Sequence, residues 1–309
     1  MDKKTSFLNK IKKATCLDSS TPDSGKGKCK SCSNIVAHGF HLVEGKSGHD
    51  MEDYHVAEYR NKKSHVLGLF AIFDGHLGNS VPSYLKDNLF NNILEEPNFW
   101  NDPKIAIKNA YRATDKYILE NSMKLGPGGS TAVTAIVIDG KDLWVANIGD
   151  SRAVVCERGA ANQLTVDHEP DSERRRIEKQ GGFVTNLAGD VPRVNGQLAV
   201  ARAFGDQSLK AHLSSEPDVR HVPIDSTIEF VILASDGLWK VSCYANLLMT
   251  VFCFLSVHSS FFSAVHVIFY VRIGISKIMD LLFFLKQYVN ETIPVSKVLN
   301  IGLFFLNII

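Results

Sequence analysis

Residues Ser130 to Glu157 read STAVTAIVIDGKDLWVANIGDSRAVVCE. Two apolar runs meet at Asp139-Gly140, a dipeptide that readily takes the positive φ angles of a tight hairpin, so the stretch predicts two antiparallel strands. A further strand, SRAVVCE, follows the Gly149-Asp150 corner. Three consecutive antiparallel strands point to a sandwich or a meander.

Upstream, HVLGLFAIFDGH from His65 to His76 is a near-continuous apolar run closed by Asp-Gly, as expected of a strand buried on both faces. Asn79 to Leu94 and Asp102 to Ser122 have helical character, the second with Asp102 as N-cap and Pro103 in the first turn. Ala106, Ala110, Ala113 and Tyr117 then fall at i, i+4, i+7 and i+11, which predicts a core-facing stripe. Downstream, a short charged helix from about Asp171 to Gln180 stops at Gly181-Gly182. The irregular GDVPRVNGQLAVARAFGD leads to a last strand, EFVILAS, ending at Asp236-Gly237. No internal repeat is visible.

At 309 residues the chain has room for one large domain or two small ones. Lys+Arg 34 against Asp+Glu 33 leaves a net charge of +1, with no overall pull toward nucleic acid. The six cysteines form no framework, and the N-terminus is Lys-rich rather than an apolar secretory signal. That pattern reads as a reduced compartment, cytoplasm or nucleus. Cys29 and Cys32 have zinc-knuckle spacing, but no second pair follows at a fitting distance.

Four places put a carboxylate where a strand runs out or turns: Glu52-Asp53, Asp74-Gly75-His76, Asp150 and Asp236-Gly237. Strand ends are rigid, and several carboxylates converging on one point repel unless divalent cations sit between them. Oxygen-only ligands favour Mg²⁺ or Mn²⁺. Each Asp-Gly alone reads as an ordinary turn.

Taken in order, MED, FDGH, GGSTA, ANIGDSRAV, LTVDHEP, ARAFGD and ILASDGLW resemble the metal-dependent type 2C protein Ser/Thr phosphatases, and the text around them is similar to plant members. The resemblance runs from about Gly39 to Lys240. It implies an α+β fold, a β-sandwich flanked by helices on both faces, and dephosphorylation of phosphoserine and phosphothreonine in proteins as part of signal transduction. It also implies two Mn²⁺ or Mg²⁺ ions and possible room for a third. Asp74 would bridge the two ions with the Gly75 carbonyl as a further ligand, and Asp236 would hold one. Glu52 and Asp53 would act directly or through water, and Asp150 would serve the third ion. A hydroxide bridging the two metals would attack phosphorus in line, and His76 would protonate the leaving oxygen. Phosphorylated proteins are the expected partners of what is expected to be a monomer.

Two departures stand out. Many members carry Arg three residues before the Met of MED; here the position is Gly48, which leaves Lys46 and His49 as point-charge substitutes for phosphate binding. The family also continues past its SDGLW motif to another aspartate ligand and a closing strand. Here residues 242 to 309 hold only Arg272, Lys277, Asp280, Lys286, Glu291 and Lys297 as charges, with half of the 18 phenylalanines.

The expected organisation is therefore a basic flexible segment over residues 1–35, an incomplete catalytic domain over 36–240 and an apolar non-family tail over 241–309. The run Val241 to Val271 is long enough to span a bilayer, though Ser256, His258, Ser259, Ser260, Ser263 and His266 weaken insertion. Val241-Ser242 is also what an in-frame splice-donor consensus encodes, which makes a retained intron the favoured origin of the tail and a membrane anchor the lesser one. Two rivals to an active soluble phosphatase follow: a weak or inactive phosphoprotein-binding regulator that lacks the last ligand, and a membrane-tethered phosphatase.

Overall fold

In the computed structural model, which describes residues 23–29, 36–43, 51–239 and 301–308, the Asp139-Gly140 turn forms as its residues dictate. Both take positive φ, 54° and 68°, and the Lys141 N–H donates to the Ile138 carbonyl at 2.9 Å. In chain order the strands are β1 (Asp23–Lys28), β2 (Val36–Val43), β3 (Asp53–Lys62), β4 (His65–His76), β5 (Gly129–Ser130), β6 (Ala132–Ile138), β7 (Asp142–Ile148), β8 (Arg152–Glu157) and β9 (Ala160–Gln163). They continue with β10 (Val184–Thr185), β11 (Arg193–Val194), β12 (Phe204–Gly205), β13 (Asp218–Pro223), β14 (Ile228–Ala234) and β15 (Ile301–Ile308). The helices are α1 (Ser80–Glu95), α2 (Pro103–Glu120), α3 (Ser122–Leu125), α4 (Arg174–Lys179) and α5 (Asp236–Trp239).

One sheet has the order β1-β2-β15-β14-β8-β9, and a seven-stranded sheet has the order β12-β5-β4-β6-β7-β13 with β3 also on β4. The hairpin of β6 and β7 stays within the second sheet, but β8 pairs with β14 and β9 in the first. The Gly149-Asp150 corner is thus a crossing between sheets, and the arrangement is a sandwich rather than a meander.

The continuous apolar run of β4 is explained by its two faces. Phe70 and Ile72 point into the inter-sheet core with Val133, Val145, Val155 and Leu233. Leu69, Ala71 and Phe73 face the other way, onto Leu85, Leu89, Ala110 and Tyr111 of α1 and α2. Phe70 and Phe73 are fully buried, and truncating either to Ala would cost about 3–5 kcal/mol. Among the described residues, the outer face of the six-stranded sheet carries no helix of comparable length.

α2 begins as its sequence predicts, with the Asp102 side chain accepting from the Ile105 N–H and Pro103 in the first turn. Its buried face differs from the expected stripe. Ala106 and Ala110 are buried, but Ala113 is exposed and Tyr117 is 46% exposed. The larger side chains Ile107, Tyr111 and Ile118 turn the helix so that they face the core. Tyr117 instead stacks on Tyr84, ring centroids 5.1 Å apart.

β15 lies between β2 and β14, pairing antiparallel with both; eight residues of the apolar tail are thus part of the six-stranded sheet. Cys29, just past β1, is buried and disulfide-bonded, a state the cysteine spacing did not suggest. Among the described residues no helix is long and apolar enough to cross a membrane.

Candidate active site

The two sheets meet at one end in a group of carboxylates. Asp74 comes from the end of β4, Asp150 from the crossing between β7 and β8, and Asp236 from two residues past the end of β14, where α5 begins. Each offers a carboxylate oxygen, and these oxygens lie within 4.8 Å of one another at half-buried positions. At an effective dielectric constant near 20, like charges at that separation repel by about 3 kcal/mol per pair, so the arrangement favours a cation among them.

The surrounding backbone fixes each arm. The Asp74 carbonyl accepts from the Thr131 N–H at 2.9 Å and from the Ser130 hydroxyl at 3.2 Å. The Thr131 hydroxyl in turn meets the Ser151 hydroxyl at 2.7 Å, which joins the β4 arm to the β8 arm. Gly75 is required by close approach, since a Cβ there would come within 2.6 Å of Pro82 and 2.8 Å of the Glu52 carbonyl oxygen.

The Asp150 corner rests on His168. The Gly149 N–H donates to His168 Nδ1 at 3.1 Å, which leaves Nε2 to donate to Asp218 at 3.0 Å. Burial, then the nearby Arg202 charge, holds this imidazole below its ordinary pKa against the pull of Asp218, so the neutral tautomer matches the hydrogen bonds.

Asp53 is buried and pairs in register with Asp74 across β3 and β4. The Ser235 hydroxyl of the opposite sheet donates to it at 2.7 Å. Glu52 is engaged with the loop after β4, where its carboxylate accepts from the Gly78 N–H at 2.9 Å. Neither belongs to the group of three. Lys46 and His49 lie outside the described residues.

His76 stands beside this group with its Nε2 2.8 Å from both carboxylate oxygens of Asp206. Asp206 is 3% exposed, and its N–H donates to the Gly128 carbonyl at 3.0 Å. The loop carrying it is held by Asp115 of α2, which accepts from the Gly205 N–H at 2.9 Å and from Lys210 at 3.1 Å. Sequence reasoning assigned Asp206 no role. The signal was available, because Gly205-Asp206 is one more carboxylate at a strand end, after β12.

A family model described as protein phosphatase 2C matches residues 42–259, running on past Lys240. The chain is similar to probable protein phosphatase 2C 44 of Oryza sativa subsp. japonica, 80% identical over 241 residues that cover 77% of this chain and 75% of the relative. It is also similar to probable protein phosphatase 2C 58 of Arabidopsis thaliana, 62% identical over 237 residues covering 77% of this chain and 83% of the relative. Among solved structures it shares the fold of a C. elegans sex-determining protein, with TM-score 0.70 at 24% identity over 97% of this chain and 70% of that one. The fold of serine-threonine phosphatase 2C from Toxoplasma gondii also matches, with TM-score 0.69 at 22% identity over 94% of this chain and all of that one. By the extent of the family match and the closeness of the plant relatives, the chain belongs to the protein phosphatase 2C family of serine/threonine protein phosphatases.

Proposed function

We propose that the chain hydrolyses phosphoserine and phosphothreonine in proteins at the carboxylate group of Asp74, Asp150 and Asp236, with divalent metal ions. The observation that carries the reading is the convergence of those three carboxylates within 4.8 Å at the open end of the sandwich. The donor set fits hard cations such as Mg²⁺ or Mn²⁺, being oxygen-only, half-buried and on rigid strand ends. Asp74 with the Gly75 carbonyl and Asp236 would hold two ions, and Asp150 a third. When bound, such ions supply Lewis-acid charge that acidifies water and neutralises phosphoryl oxygens.

The chain's own residues do the rest. Asp53, fastened to Ser235, links the start of β3 to the end of β14 and keeps the two sheets in register at the site. With His76 Nε2 engaged by Asp206, Nδ1 is the ring nitrogen left to deliver a proton to the departing serine or threonine oxygen. Asp206 orients the ring.

Phosphate release from a phosphothreonine peptide in Mn²⁺ tests this. The 309-residue chain should release phosphate, and Asp74→Asn should lower kcat/KM by about 10³-fold or more. Equal rates for the two proteins would overturn the assignment, and no release from either would favour a binding regulator.

A further inference from the structure

Leu77 follows His76 directly and takes φ 57°, in the left-handed region that a residue with a Cβ seldom occupies. Its side chain is 73% exposed. The backbone angle costs about 1 kcal/mol, and an apolar side chain is left in water beside a polar site. The turn is imposed by its neighbours. Glu52 holds the Gly78 N–H at 2.9 Å, and Gly128 packs so tightly on this loop that a Cβ there would come within 2.3 Å of the His76 carbonyl oxygen.

A second exposed apolar side chain adjoins another arm of the site. Val166 is 67% exposed, and its carbonyl accepts from the Asn147 amide at 3.3 Å. The same amide nitrogen donates to the Gly149 carbonyl at 3.2 Å, one residue before Asp150. Leu77 thus lies three residues past Asp74, and Val166 is joined through Asn147 to the residue before Asp150. A phosphorylated side chain that reaches these aspartates carries its own chain neighbours over the surface around them.

We propose that Leu77 and Val166 form an apolar rim that contacts the residues flanking the phosphorylated serine or threonine, so that substrates with apolar neighbours are preferred. The proposal rests on the phosphatase reading above. The rim contributes where the flanking side chain loses water against it, an effect worth several-fold in kcat/KM for a partly buried contact.

The test compares two phosphothreonine peptides that differ only in having Leu or Ser on both sides of the phosphothreonine, assayed with the full chain in Mn²⁺. Wild type should favour the Leu peptide by about 5- to 10-fold in kcat/KM. Leu77→Asn keeps a residue that tolerates positive φ and removes the apolar side chain, and Val166→Thr keeps the branched shape. Each should bring the ratio toward 2, and the double variant toward 1. A partly misfolded variant scales both rates equally and leaves the ratio alone. Turnover with a wild-type ratio near 1, or a ratio unchanged in the variants, overturns the rim. A ratio unchanged while Leu77→Asn converts a dimer to a monomer overturns it in favour of a second copy of the chain. No turnover of either peptide by wild type overturns the phosphatase reading instead.

Discussion

Asp150, proposed above to hold an ion, is a carboxylate whose function would oppose stability. It stands within 4.8 Å of two like charges, so in chelator its replacement by Asn removes repulsion while keeping the side-chain shape. Asp150→Asn should raise the Tm of the metal-free protein by a few degrees and lower Mn²⁺-supported turnover, as read by thermal unfolding in EDTA and by phosphate release. A lower metal-free Tm would mean that the carboxylates do not repel as placed. A second residue gives a pH signature. His38, between β2 and the rings of Tyr59 and Phe70, has its pKa pushed down to about 4 by burial, with the nearby His55 adding to the effect. In the unfolded chain its pKa returns to the ordinary value near 6.5, so between these values the unfolded state binds more protons. Its contribution is complete above about pH 6.5 and is lost as pH falls toward 4, at most about 3 kcal/mol. His38→Gln should flatten the fall in urea midpoint between pH 7 and pH 5; an unchanged slope would assign the effect to other groups.

At the scale of elements, the weight falls on β15. It pairs over its whole length with β2 and along Leu303 to Asn307 with β14, and among the described residues it is the link between β1-β2 and the rest of that sheet. A chain ending at residue 300 would leave the β2 and β14 edges bare and release the β1-β2 hairpin, and bare edges aggregate. Such a truncation should lower Tm by 5 degrees or more, or yield insoluble protein, and should speed amide exchange across β2 and β14; an unaltered Tm would place the strand outside the stable fold. This element was illegible beforehand for a physical reason. Ile301 to Ile308 sits in a tail so uniformly apolar that no period separates a strand from its surroundings. The hairpin at Asp139-Gly140 was legible because its turn chemistry is local. The face of α2 was half legible: alanines mark a stripe without fixing which side the larger Ile107, Tyr111 and Ile118 will bury.

For the whole molecule, the site is a product of sheet packing. Asp74 belongs to one sheet, Asp236 follows a strand of the other, and Asp150 lies on the chain that crosses between them. Asp74, Asp150 and Asp236 could be read from sequence because each stands next to a glycine at or near a strand end. The pairing of His76 with Asp206, 130 residues apart, could not, because no local pattern encodes a contact of that range. On the proposed reading, an ion held by carboxylates from both sheets would stabilise the folded chain by mass action. On the proposed reading, Asp74, Asp150 and Asp236 together hold the catalytic ions. Calorimetric titration of Mn²⁺ into the metal-free chain and its Asp74→Asn variant tests it most directly. Wild type should bind at least two ions, with Asp74→Asn losing the tight binding by about 100-fold or more; identical isotherms for the two proteins would contradict the assignment.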